Sequence, residues 1–218
     1  MRVPHRPGLE KDFDCAAAGA YAGLGGCPVF AIERRLALRE LKRCRPQGSL
    51  LDAGCGPGHL LKAIHQHFPG LELTGLDINP GFIEIARQNL KNIPVRLVRA
   101  GIEDMPLEDE SLDFVITTGS LHHWRDANLA LAELYRVLKP GGQLILIDLR
   151  RDCPRLLYAF IRLFQLFMPG PIRRHNGPVG SFWASYTVGE ARRLLQALPF
   201  KEHRLKAGAG WFLAWAKK

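Results

Sequence analysis

Residues 50–58 read Leu-Leu-Asp-Ala-Gly-Cys-Gly-Pro-Gly, and no other stretch of the 218-residue chain limits its fold as much. The apolar Leu50 and Leu51 belong to a buried strand, and Leu60, Leu61 and Ile64 begin a helical spacing. Between them Gly54, Gly56 and Gly58 stand at alternate positions. A strand, a glycine corner and a helix, in that order, let the backbone approach a ligand with no Cβ in the way. Residues 71–77, Leu-Glu-Leu-Thr-Gly-Leu-Asp, alternate as a second strand and end on Asp77, 19 residues after Gly58. A carboxylate at that strand tip can accept both hydroxyls of a ribose.

The alternation continues along the chain. Strands are expected at 49–53, 72–77, 95–100, 114–118 and 143–148, with helices at 60–68, 81–90 and 127–138. Short strands alternating with helices of about ten residues imply right-handed crossovers and a parallel sheet. Asn79 with Pro80 and, further on, Asp126 are natural helix starts. Lys139-Pro140-Gly141-Gly142 reads as a helix stop. Ahead of this core, residues 13–45 read as helical, interrupted by Gly19, Gly23, Gly25 and Gly26. Behind it come an apolar helix at 156–168, a Pro/Gly/Arg-rich loop at 169–180 and a capping box at Thr187 and Glu190. Strands at 200–205 and 211–216 then form an antiparallel hairpin at the sheet edge. The expectation is an α/β, doubly wound, seven-stranded and mostly parallel sheet whose last strand is antiparallel. It forms one domain over 1–218: an N-terminal helical segment (1–45), a ligand-binding core (46–150), a segment after the fifth strand (151–186) and a last helix with its hairpin (187–218).

The glycine spacing is Gly-x-Gly-x-Gly, not the Gly-x-Gly-x-x-Gly of a dinucleotide turn, and Asp52 stands two residues before it. An anionic side chain there is poor for a pyrophosphate and suits an ammonium group. With these residues the chain resembles the class I S-adenosylmethionine-dependent methyltransferases, in the small-molecule (ubiquinone/menaquinone-type) branch. The resemblance spans roughly residues 50–150 and implies a Rossmann-like fold and S-adenosyl-L-methionine as cofactor, with S-adenosyl-L-homocysteine as product. It also implies cofactor contacts at Asp52, Gly54, Cys55, Gly56, Gly58, Asp77, Ile78, Ile102, Glu103 and Thr118. The family usually has an acid where this chain has Gly101, so Ile102 and Glu103 carry the adenine contacts, with Glu103 equally readable as a solvated loop acid. The resemblance also implies that 1–45 is a helical lid over the cofactor and 151–186 a substrate cap, with Tyr21 and Phe13 as the lid's candidate aromatics and Phe13 equally readable as a packing residue.

The stretch after strand four, Thr118-Gly119-Ser120-Leu121-His122-His123-Trp124, lies between cofactor and acceptor in such a fold. Methyl transfer from a sulfonium is an in-line displacement that depends on alignment and exclusion of water. A general base is needed only where the acceptor loses a proton, and His122 is the candidate. His123 is read as pinning the loop through a backbone carbonyl. Asp148, Arg150, Tyr158, His175 and Tyr186 are further residues able to reach the acceptor.

What is missing narrows the acceptor. No Asn/Asp-Pro-Pro-aromatic motif follows strand four, no cysteine stands there for attack on a pyrimidine, and no glutamate pair of the protein-arginine type is present. The net charge of +9 is spread out without interleaved aromatics, which argues against a nucleic-acid surface. A small, rather hydrophobic acceptor remains, met by a monomer or a homodimer. Helix 156–168 is ranked first as a cap, then as a dimer contact, then as a peripheral membrane contact. The five cysteines lack metal or disulfide spacing, so no metal is expected. The N-terminus carries no apolar leader, so the expected location is cytoplasmic. The alternative to an enzyme is a regulatory or partner protein that binds the same cofactor without transferring its methyl group.

Overall fold

The computed structural model describes residues 15–174 and 177–218. Seven strands form one sheet in the order β3-β2-β1-β4-β5-β7-β6. They are β1 (Ser49–Ala53), β2 (Glu72–Asp77), β3 (Val95–Arg99), β4 (Leu112–Thr118), β5 (Leu138–Leu149), β6 (Glu202–Ala207) and β7 (Trp211–Lys217). The first five are parallel; β7 inserts antiparallel between β5 and β6. The chain winds outward from β1 to β3, returns to β4 and winds the other way, so strand order reverses between β1 and β4. That reversal opens a crevice at their carboxyl ends, where doubly wound sheets bind ligands.

Alternation along the strands divides the core. Leu51, Val115, Leu144, Leu146, Phe212 and Ala214 face one layer, made by α5 (Ala127–Val137) and α9 (Val188–Gln196). Leu50, Phe114, Ile116, Ile145, Ile147 and Leu213 face the other. That second layer is built from α2 (Pro28–Arg43), α3 (His59–His67) and α4 (Pro80–Asn89). Strands buried on both faces read as continuous apolar runs, as residues 144–147 do. The expected caps are present: Asn79 accepts from the N–H groups of Gly81 and Phe82, and Asp126 from those of Asn128 and Leu129.

Three segments differ from the sequence expectation. The helical region before β1 divides into α1 (Cys15–Gly23), a single tight turn over Leu24–Gly26, and α2. Gly19 lies inside α1, so only the later glycines break the helix. Residues 169–180, expected as a loop, contain α7 (Gly170–Arg174) and the start of α8 (Gly177–Ala184). Pro171 and Pro178 each occupy the second position of their helix, where the missing N–H costs nothing. The expected helix stop at 139–142 is the first part of β5, bulged against β4 between the pairs Leu112–Leu138 and Phe114–Gln143. Gly141 supplies the positive φ of that bulge.

After β5, α6 (Arg155–Phe164), one further turn over Gln165–Phe167, α7 and α8 form a cap with its own small core of Ile161, Val179 and Phe182. A parallel bridge between Arg150 and Tyr186 ties the cap's end to the sheet. Cys27, Cys44, Cys55 and Cys153 are free thiols. Among the described residues no metal-ligand cluster occurs, and no helix is long and apolar enough to cross a membrane.

Candidate active site

The glycine corner closes the crevice floor. The N–H groups of Gly54 and Cys55 both donate to the Leu76 carbonyl, at 2.7 and 2.9 Å, lashing the corner to β2. Gly54 has φ +79°, and a Cβ there would lie 2.1 Å from Ser120 Oγ. At Gly58 a Cβ would strike Leu90 at 2.8 Å, whereas at Gly56 it would meet nothing within 4 Å. Gly54 and Gly58 are therefore glycines for packing, and Gly56 is the residue whose bare backbone faces open space.

Two carboxylates flank this corner. Asp77 Oδ2 accepts from Gly56 N at 2.8 Å and Oδ1 from Asn79 N at 2.9 Å. Each oxygen keeps a second lone pair, and burial outweighs both bonds to hold the carboxyl above its ordinary pKa. Asp52 is 1% exposed, and its Oδ2 is buried with no partner. Burial first, then Asp77 and Glu33, raise it to about 8. An orphaned buried carboxylate oxygen is costly, and a cationic ligand relieves the cost.

Glu33, on α2, was not foreseen as a site residue. It reaches across the crevice so that a Cβ at Gly119 would lie 3.1 Å from its Oε1. It keeps some accessible surface, yet protein encloses it closely enough that burial, then Asp148, raise it to about 8. His122 and Arg34 oppose that rise only in part. In the sequence Glu33 sits beside Arg34 and Arg35 on a charged helix face, and no local pattern separates it from a solvated acid.

His122 is buried and its Nδ1 lies 2.6 Å from Asp148 Oδ1. Asp148, at the end of β5, also accepts from His122 N at 3.2 Å and Leu149 N at 2.6 Å. That carboxylate fixes Nδ1 as the donor, leaving the Nε2 lone pair as the basic position. His122 is therefore itself held by the fold, through a carboxylate. His123 is an exposed residue, and its ring lies against that of His122, tilted by 40° at a centroid distance of 4.0 Å.

The other candidates fall unevenly. Cys55 points away from the crevice: a Cβ on Gly75 would lie 3.0 Å from its sulfur, so only its backbone faces the corner. Ile102 packs into the core, whereas Ile78 is 64% exposed beside Gly101 at the crevice rim. Glu103 Oε1 accepts from Arg125 N at 2.8 Å and Asp126 N at 3.4 Å, joining the strand-three and strand-four loops. Thr118 ends β4, half-buried. Arg150 is tied to Asp152 and the Gly208 carbonyl, and the Tyr158 hydroxyl accepts from Trp183. Tyr186, brought up by the cap, has its phenol pKa raised by burial and then by Asp148. Tyr21 lies between Phe30 and Phe82, and the Ala22 carbonyl meets His59 Nε2 at 3.0 Å, holding α1 over the corner. Phe13 and His175 lie outside the described residues.

Residues 51–146 match the family described as Methyltransferase domain. The ubiquinone/menaquinone biosynthesis C-methyltransferase UbiE of Syntrophotalea carbinolica is 31% identical over 172 residues, 76% of this chain and 72% of that protein. The chain belongs to the class I S-adenosylmethionine-dependent methyltransferases. A second protein of that name, from Desulfotalea psychrophila, is 27% identical over 160 residues, and the chain spans 65% of its length. Among solved structures, the plantazolicin methyltransferase BpumL in complex with S-adenosylhomocysteine shares the fold at a TM-score of 0.74 and 18% identity, over 96% of this chain and 93% of that one. The methyltransferase family's cofactor carries an ammonium and a sulfonium. The residues present suit such a cation: Asp52 carries a buried carboxylate oxygen without a partner, and Gly56, bonded to Asp77, bares its backbone to open space.

Proposed function

We propose that this chain transfers a methyl group from S-adenosylmethionine to a small, rather hydrophobic acceptor, with Asp52, the backbone of residues 54–58 and Asp77 holding the cofactor. The observation that carries this reading is the orphaned, nearly inaccessible Asp52 oxygen beside a glycine corner that opens on empty space. The cofactor, when bound, supplies an electrophilic methyl group on a cationic sulfur. The chain's own residues do the rest. Asp52 meets the amino group, Asp77 the ribose hydroxyls, and exposed Ile78 covers one face of the base. Glu103 acts indirectly, by bracing the loop that carries Ile102.

Where the acceptor must lose a proton, His122 Nε2 takes it, and Asp148 holds the ring and stabilises the imidazolium that forms. Glu33, protonated below about pH 8, lies over the loop without adding a full negative charge beside the dyad. That matters because positive charge disperses during transfer, and excess anions stabilise the ground state more than the transition state. The cap and α1 exclude water from the crevice.

The supporting names are those of relatives acting in quinone biosynthesis and on plantazolicin. The test is turnover: the protein, S-adenosylmethionine and a panel of demethylated quinones, phenols and small apolar amines or peptides, read as S-adenosylhomocysteine released. Acceptor-dependent release supports transfer. Cofactor binding with no release across all acceptor chemistries contradicts it and favours a binding protein without transferase activity.

A further inference from the structure

One surface plays no part in the crevice chemistry. On α6 and the turn after it, Leu156 (87%), Phe160 (62%), Leu163 (58%), Leu166 (64%) and Phe167 (76%) are exposed, while Ile161 on the opposite side is buried in the cap. At about 100° per residue, Leu156, Phe160 and Leu163 fall within an arc of about 60°, and Arg155 and Arg162 lie roughly 100° to one side of it. Phe160 and Phe164 stack along the stripe, 6.1 Å between centroids. Exposure this high marks a convex face, unlike the lining of an acceptor pocket.

The charge around the stripe is of one sign. Residues 153–189 contain no Asp or Glu and four arginines, Arg155, Arg162, Arg173 and Arg174. All four are exposed. Arg150 and Arg151, by contrast, are engaged with Asp152 and Glu190. Arg173 and Arg174 also line an open depression with Gly170 and Pro171. An apolar stripe edged by cations with no acid partner matches an anionic bilayer surface, whose headgroups carry the opposite charge and whose acyl boundary accepts the rings. It does not match a second copy of itself, because a symmetric contact would set one acid-free arginine cluster against another. We infer that α6 and the turn after it dock the protein peripherally on anionic lipid membranes, with Leu156, Phe160, Leu163, Leu166 and Phe167 entering the headgroup boundary and the arginines pairing with lipid phosphates.

Vesicle co-sedimentation of the full chain tests this, comparing pure phosphatidylcholine with phosphatidylcholine containing about 30% phosphatidylglycerol, a composition that makes the surface anionic. The wild type binds the anionic vesicles and not the neutral ones, and added salt releases it. Arg173→Gln with Arg174→Gln weakens binding about 20- to 30-fold, the product of two surface arginines. Phe160→Glu with Phe167→Glu abolishes it while leaving thermal unfolding in solution unchanged. No binding to anionic vesicles, or equal binding to neutral ones, overturns the inference. So does a dimer in sedimentation velocity that Phe160→Glu with Phe167→Glu converts to monomer, which assigns the stripe to self-association. None of these readouts depends on methyl transfer.

Discussion

Asp52 is the residue on which the crevice turns, because its Oδ2 is enclosed without a hydrogen bond. Its pKa of about 8 in the free protein means that the carboxyl is protonated at pH 6, and a cationic ligand must expel that proton. Affinity for S-adenosylmethionine therefore rises with pH, by up to about tenfold per unit below pH 8. Calorimetric titration at pH 6, 7 and 8 checks this; Asp52→Asn flattens the profile, and a flat wild-type profile contradicts the assignment. The His122–Asp148 pair makes a separate prediction for an acceptor that must be deprotonated. His122→Asn lowers kcat by about 10²- to 10⁴-fold while the cofactor Kd stays within about threefold. Equal losses in Kd and kcat would mean that His122 only supports the loop. Asp52, the glycines and Asp77 were legible because a local spacing carries them. Glu33 and the Asp148 partnership were not: each contact joins elements far apart in sequence and exists only once β4 and β5 lie side by side beneath α2.

At the scale of elements, most boundaries followed from apolar periodicity and from caps whose chemistry is local, as at Asn79, Asp126 and Thr187. The errors arose where composition and tertiary context disagree. Proline and glycine at 169–180 resemble a loop, yet each proline falls at a helix start. Lys139-Pro140-Gly141-Gly142 does follow the end of α5 at Val137, yet pairing with β4 makes it the start of a bulged strand instead of a turn. The cap of α9 offers a clean control: Thr187 Oγ1 accepts from Glu190 N, and Glu190 Oε2 accepts from Thr187 N. Thr187→Ala costs about 1 kcal/mol, read by urea unfolding, with cofactor affinity unchanged. Gly54→Ala is the opposite case, since its new methyl group meets Ser120 at a position of φ +79°. It destabilises by about 1–3 kcal/mol and weakens the cofactor as well, because the corner must shift. Stability loss without loss of binding would separate the corner from the cofactor site.

For the whole molecule, the acids of the crevice set how stability depends on pH. Asp52 and Glu33 have folded pKa values of about 8, well above their ordinary 3.8 and 4.5. Between those limits the folded state holds more protons than the unfolded one, so each group destabilises the fold as pH rises. Glu190, held near 2 by Arg151 and the Thr187 cap against the effect of burial, works the other way. Its contribution is complete above about pH 4.5 and is lost as pH falls toward 2. The ligand-free protein therefore melts at a lower temperature at pH 9 than at pH 6, and Asp52→Asn narrows that difference. Calorimetric melting across this range checks the sign, and a wild-type Tm that climbs from pH 6 to 9 contradicts it. On the proposed assignment, binding of the cationic cofactor to Asp52 relieves the same burial cost. The most direct measurement is a calorimetric titration of S-adenosylhomocysteine and of NAD into the wild type and Asp77→Ala. S-adenosylhomocysteine binding that weakens by about 1.5–3 kcal/mol in the variant is the predicted result. Binding of NAD alone, or an unchanged dissociation constant in Asp77→Ala, contradicts it.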